Sequence, residues 1–159
     1  MRDKRFVALR RGGLLTKECH RALSRWARQC VERVLPLLDE LPDERLTYAL
    51  HVAEAWENDR AAVGDATKAS VGAHAAAREA TTPVSMAVAR AVGQAVATAH
   101  MADHSLGGAL YALKAMQQAG LPLAEERAWQ LAHLPLLSPD LRELVETTLE
   151  SKGRSFGLW

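Results

Sequence analysis

Apolar residues recur at three- and four-residue steps along most of the chain, which is the period of a helix with one buried side. No segment alternates convincingly with the two-residue period of a half-buried strand. The clearest stretch follows Thr16 and predicts a basic amphipathic helix over residues 17–35, which Pro36 should kink or end. Its apolar side carries Cys19, Leu23, Trp26, Cys30, Val34 and Leu37, and its opposite side carries Lys17, Arg21, Arg25 and Arg28.

Similar patterns predict further helices along the rest of the chain. They are expected over residues 43–57, 63–80, 83–103, 105–119, 123–133 and 139–150. Thr82 and Pro83 have the residue types of an N-cap and a first helical position, and Gly120 is typical of a helix stop. The break between the fourth and fifth helices is left open by the sequence, and the two could be continuous. Gly107 and Gly108 weaken the start of the fifth helix and favour the close approach of another backbone.

These elements predict an all-α fold, a bundle of about six to seven helices in a single domain over residues 1–159. About a third of residues 61–119 are alanine, so the central helices should approach one another closely. Phe156, Leu158 and Trp159 give an apolar tail at 151–159. We expect this tail to fold onto its own domain, with docking to a second subunit in a homodimer as the alternative.

Composition is that of an ordinary globular protein, with 48% hydrophobic and 25% charged residues. No apolar run is long enough for a membrane span or for a signal peptide, so we expect a cytoplasmic protein that does not engage the membrane. Cys19 and Cys30 are eleven residues apart and cannot bridge within one helix. They are expected to be small core residues in a reducing compartment.

Charge is unevenly distributed although the net charge is only +1. The basic helix should face acidic neighbours within the domain, and the carboxylates at the entrance of the second helix are the expected counter-charges. These carboxylates are Asp39, Glu40, Asp43 and Glu44. A partner surface formed by the four cations of the basic helix is the alternative. Nucleic acid is a poor candidate for that partner because the isoelectric point is only about 7.9.

Histidines among alanines form the main candidate site. His100 and His104 are four residues apart, so on one helix they could converge on a metal, with His74 as a third ligand and Asp103 as a supporting carboxylate. Met101 stands where a helical zinc protease needs its glutamate. A structural role in fixing adjacent helices is therefore favoured over zinc or another divalent metal. The third reading is a partner surface, for which His74 and Arg78 share one helix edge.

No glycine loop for phosphate, no nucleophile elbow and no Ca²⁺-binding loop motif occurs, so no catalytic residues and no cofactor are predicted. Three segments over about residues 40–120 nevertheless carry a family resemblance. They are Trp56, the run Ala73-His74-Ala75-Ala76-Ala77-Arg78-Glu79-Ala80, and Gln94-Ala95-Val96-Ala97-Thr98-Ala99-His100 with His104, Gly108, Tyr111 and Ala112.

In these segments the chain resembles the bacterial immunity proteins of the family-five type (Imm-five-like) from polymorphic toxin systems. The resemblance implies a non-catalytic protein that binds a cognate toxin and neutralises it. Nuclease inhibitors are often acidic, and this chain departs from that pattern. A toxin-binding surface would combine exposed aromatic residues and arginines. The alternative function is a metal- or small-ligand-binding helical enzyme that uses the cluster of His74, His100 and His104.

Overall fold

The computed structural model describes residues 2–159, and this part of the chain forms seven α-helices and three short 3₁₀ turns. The helices are α1 (Lys17–Glu32), α2 (Glu44–Glu57), α3 (Val63–Glu79), α4 (Pro83–Ala97), α5 (His104–Gln118), α6 (Ala124–Ala132) and α7 (Pro139–Ser155). The 3₁₀ turns cover Lys4–Phe6, Leu9–Arg11 and Leu35–Leu37. The predicted all-α bundle is confirmed. None of the described helices has both the length and the apolar character that crossing a membrane requires.

Helix α4 is the central element of the bundle and packs against α1, α2, α3 and α5. Its side chains are mostly alanine and valine, so neighbouring helices can approach it on several sides. It begins as predicted: the Thr82 hydroxyl accepts a hydrogen bond from the Ser85 backbone at 3.0 Å, and Pro83 occupies the first turn. Gly108 of α5 lies close enough that an added Cβ would contact the Ala95 backbone at 3.5 Å.

The predicted end of the fourth helix at residue 103 is wrong, because α4 stops at Ala97 and residues 98–103 form turns. A buried histidine of α1 stabilises this end. His20 Nε2 donates to the Thr98 carbonyl oxygen at 2.5 Å and so satisfies an acceptor that the ended helix leaves without an intrahelical partner. The edge of the His20 ring also packs on Trp56, with centroids 4.9 Å apart.

The predicted end of α7 at residue 150 is also wrong, since the helix continues through Gly153 to Ser155. The Trp159 indole packs directly against Gly153, where a Cβ would lie 1.9 Å from Trp159 Cζ2. Lys114 and Gln117 of α5 donate to the carbonyl oxygens of Phe156 and Gly157, at 3.2 and 2.7 Å. The apolar tail therefore folds onto its own domain, as expected.

The basic helix is neutralised within the bundle, but by different carboxylates from those predicted. Its partners are Glu57 and Asp59, at the end of α2 and just after it. Asp43, at the α2 entrance, pairs with Arg45 of its own helix at 2.9 Å. The prediction failed because periodicity places residues on a helix face without fixing which end of a neighbour that face meets. Of the two free cysteines, Cys30 is buried as expected, and burial raises the pKa of its thiol, whereas Cys19 is partly exposed.

Candidate functional site

His74 of α3 and Arg90 of α4 form the first half of a polar cluster between helices. Arg90 Nη1 lies 2.9 Å from His74 Nδ1, so the guanidinium donates and the imidazole accepts. The ring lies directly against Gly93, where a Cβ would be 2.7 Å from the ring atoms Cε1 and Nε2. Ser70 Oγ donates to the Gly93 carbonyl oxygen at 3.0 Å and ties the same two helices together. The glycine at position 93 is thus what allows α3 to place an imidazole against α4.

His104 and Gln94 form the second half of the cluster, between α5 and α4. His104 Nδ1 donates to Gln94 Oε1 at 2.8 Å. The glutamine lies over Gly107, where a Cβ would be 2.6 Å from Oε1. Each half therefore pairs a histidine with an α4 side chain and uses a glycine to make room. We call His74, Arg90, Gln94 and His104 the histidine cluster.

Electrostatics keep both histidines of the cluster neutral near pH 7. Burial lowers the pKa of His74, and the positive charges of Arg90 and Arg78 lower it further. Burial also lowers the pKa of His104, against the opposing effect of the Asp103 carboxylate. A neutral His74 that accepts at Nδ1 carries its proton on Nε2, whereas a neutral His104 that donates from Nδ1 has its lone pair on Nε2. Both histidines of the cluster therefore form hydrogen bonds as uncharged imidazoles.

The other predicted site residues lie apart from this cluster or at its edge. His100 is exposed in the turn after α4, so the expectation that it shares a helix and an interior with His104 is wrong. Asp103 is held by Arg2, whose Nε is 2.9 Å from Oδ2. Arg78 is exposed beside His74. Among residues 2–159, no group of three or more His, Cys, Asp or Glu side chains is placed to hold a metal ion.

The four cations predicted as a partner surface are all engaged in ion pairs. Lys17 and Arg21 approach Asp59 Oδ1 at 3.5 and 2.9 Å. Arg25 and Arg28 approach Glu57 Oε1 at 3.9 and 2.9 Å. The Glu57 side chain is fully buried and also accepts from Ser24 Oγ at 3.2 Å. The cations on this side of α1 are therefore paired within the chain, while the Lys17 and Arg25 side chains remain 68% and 50% exposed.

Two surface features were not predicted from the sequence. One is a shallow groove of about 340 Å³ that contains a stack of flat groups on Trp129: the Arg33 guanidinium and the His133 ring each lie 4.0 Å from it. The other is the outer side of α3 and α4, where Arg78 and Arg90 lie without carboxylate partners within residues 2–159. A sequence signal for the second existed, because residues 80–102 contain no Asp or Glu and Arg90 is their one Lys or Arg.

Substituting Gly93 by alanine should lower the free energy of unfolding by about 1–3 kcal/mol, because the new methyl group overlaps the His74 ring. Equilibrium urea unfolding measures this change. Gly72→Ala is the matched control on α3, since its Cβ would meet Arg45 only at 3.9 Å. The control should gain about 0.5–1 kcal/mol from the better helix former. Equal stabilisation by both substitutions would contradict the packing described for Gly93.

Acidification should destabilise the fold below pH 6.5, the ordinary histidine pKa, because burial lowers the pKa of His20, His74 and His104. Above pH 6.5 these groups are neutral in both states. As the pH falls from there toward the folded-state pKa values, the unfolded chain binds protons that the folded chain does not, so unfolding becomes easier.

Urea unfolding at pH 7.5 and pH 5.5 tests this pH dependence. His74→Gln cannot titrate and should lose less stability between the two pH values than the wild type. Exposed His51 provides the control, and His51→Gln should retain the wild-type loss. A wild-type stability that is equal at both pH values would refute the assignment of neutral histidines.

Comparison with known proteins gives one family match. The family model described as "Imm-5 like putative immunity protein" matches residues 13–137, from the turn before α1 to the segment after α6. No curated protein and no solved structure matches the chain. The matched region contains the complete histidine cluster and Gly93 and Gly107, the two glycines against which its side chains pack. Because the match spans well over half of the 159 residues, the chain belongs to the Imm-5 like putative immunity protein family.

Proposed function

We propose that this protein is a non-catalytic immunity protein that binds a cognate bacterial toxin in the cytoplasm and blocks it by occupying its functional surface. The observation that carries this proposal is the family match over residues 13–137, which includes all of α1 to α6. An inhibitor of this kind acts by stoichiometric association, so its requirement is a stable, preorganised surface rather than a reaction centre.

The roles of the polar residues support a binding function. The hydrogen bonds of the histidine cluster join α3, α4 and α5, and the Glu57 network joins α1 to α2. These groups hold the helices in fixed relation, and a rigid backbone lowers the ordering cost of forming a complex. The protein surface can then meet its partner with little rearrangement.

Co-expression with the toxin encoded beside this gene tests the proposal. The toxin alone should stop growth, and toxin with this protein should allow it, while an unrelated helical protein expressed at the same level should give no rescue. A neighbouring gene product that is harmless by itself, or that remains toxic in the presence of this protein, would refute the proposed function.

Titration of the purified toxin distinguishes binding from catalysis. A binding inhibitor should abolish toxin activity at an end point near one molecule per toxin, and the loss should reverse when the complex is dissociated. Inactivation of an excess of toxin by a small amount of this protein would instead indicate turnover and would contradict the non-catalytic assignment.

A further inference from the structure

One face of the bundle carries arginines that the rest of the chain does not neutralise. It is formed by the outer sides of α3 and α4, and we call it the arginine face: Val71, His74, Arg78, Met86 and Arg90. Within each helix these residues follow three- and four-residue steps, which keeps them on one side. The His74–Arg90 hydrogen bond of 2.9 Å joins the two stripes across the helix pair.

The arginines of this face form no close ion pair. Neither Arg78 nor Arg90 has a carboxylate within 4.0 Å among residues 2–159, whereas every cation on the exposed side of α1 does. Of the two nearest acidic residues in sequence, Glu79 lies 2.5 Å from Arg45 and acts on Arg78 only beyond ion-pair distance, and Asp103 lies 2.9 Å from Arg2. The intervening residues 80–102 contain no Asp or Glu. The face therefore presents cationic groups to whatever contacts it.

Exposed apolar side chains lie on the same face as these charges. Val71 is 63% exposed and Met86 is 44% exposed, although most large apolar side chains of the chain are buried. Arginine and methionine are both enriched in protein interfaces, where they combine charge recognition with apolar contact. A purely electrostatic ligand site would have no use for the two apolar groups.

The face is also ordered in advance of any contact. His74 of α3 accepts from Arg90 Nη1 and packs against Gly93 of α4. The Arg90 guanidinium is therefore held by α3 as well as by its own helix. A long side chain that is already fixed loses less conformational entropy when it binds a partner. The remaining guanidinium donors of Arg90 suit the paired oxygens of a carboxylate.

We infer that the arginine face is the docking surface for an acidic segment of a partner protein in which Asp or Glu residues flank apolar side chains. This inference rests on the proposed function, in which that partner is the toxin. Carboxylates of the segment would pair with Arg78 and Arg90, and its apolar groups would cover Val71 and Met86. Two arginines with two apolar side chains favour a protein over nucleic acid, whose affinity depends on many phosphate contacts.

Charge reversal on this face is the direct test. Arg78→Glu should weaken the complex with the toxin by about tenfold or more, because a carboxylate would then face the acidic segment. Met86→Ala should weaken it by a smaller factor, through lost apolar contact. Both residues are exposed and neither is a core residue, so the melting temperature should change little. Binding is measured by titration calorimetry at low and moderate salt.

Arg60→Glu is the matched control, since Arg60 is also exposed and without a carboxylate within 4.0 Å among the described residues, but it lies before α3, at the opposite end from Arg78. The affinity of the Arg60→Glu variant for the toxin should stay within about twofold of the wild type, as expected for a charge outside the docking surface. Wild-type affinity for Arg78→Glu would overturn the arginine face while leaving the proposed function standing. Loss of affinity in both variants to the same extent would also overturn it, since the effect would then be one of net charge.

A failure of the proposed function has a different outcome. If the wild-type protein forms no complex with the toxin, the proposed function and the docking surface both fall. If the wild type instead binds duplex DNA or vesicles containing anionic lipid, and Arg78→Glu abolishes that binding, the face recognises phosphate and the acidic protein segment is wrong.

Discussion

Replacing Glu57 by alanine is expected to lower the free energy of unfolding by about 3–5 kcal/mol, the typical cost of removing one partner of a buried ion pair. The Glu57 side chain is fully buried, and Arg28, its main partner, is only 12% exposed. Arg28 reaches both carboxylate oxygens with Nε and Nη2, at 2.9 to 3.3 Å. Without this carboxylate, the nearly buried guanidinium would keep only Glu32, 2.8 Å from Nη1, and the Ser24 hydroxyl would lose its acceptor.

Urea unfolding followed by circular dichroism measures this effect. Glu54→Ala is the matched control, because Glu54 lies on the same helix with an exposed side chain, and its change should stay within about 0.5 kcal/mol. The double variant Arg28→Met, Glu57→Leu should recover part of the loss, since it removes both charges and fills the space with apolar groups. A single variant as stable as the control would show that the network contributes nothing to the fold.

The sequence predicted the helices better than their contacts. The start of α1 after Thr16 and the N-cap of α4 at Thr82 are local signals, and both are confirmed: each threonine hydroxyl accepts from the backbone N–H three residues on. At the end of α4, the Thr98 carbonyl oxygen accepts from His20, which is distant in sequence. No local pattern reports such a bond. The same limit explains the basic helix, whose cations were assigned correctly to internal partners but to the wrong end of α2.

The candidate site was half predictable. His74 and His104 stood out because alanines surround or precede them, and the structure places both against α4. The importance of Gly93 could not be predicted, because a glycine within a helix indicates only a less stable helical position. Its role becomes clear from the His74 ring that packs against it. No local pattern singles out Arg90. The lack of Asp and Glu over residues 80–102 is visible in the sequence, but the placement of Arg90 against His74 comes from the fold.

Polar contacts, rather than apolar area alone, position α6 in the bundle. This helix is short, and α5 is the helix that it contacts most. Trp26 of α1 donates from Nε1 to the Gln130 carbonyl oxygen at 2.8 Å, and Gln130 Nε2 donates to the Ala109 carbonyl oxygen at 2.9 Å. Both side chains are almost fully buried, at 1% and 2% exposure. One indole and one amide therefore connect α1, α6 and α5.

Substitution of Trp26 by alanine should accordingly lower the free energy of unfolding by about 3–5 kcal/mol, because it opens a large cavity beside α1 and deprives the Gln130 carbonyl of its donor. Trp26→Phe keeps most of the apolar volume and should lose about 1–3 kcal/mol, chiefly the cost of that unsatisfied carbonyl. Urea unfolding compares the two variants with Trp129→Ala, whose indole is partly exposed and should cost less than Trp26→Ala. Hydrogen exchange should show faster exchange in α6 for both Trp26 variants, since each breaks the link from α1. Unchanged α6 protection in Trp26→Phe would mean that packing alone holds this helix, and the indole N–H would then have no part in placing it.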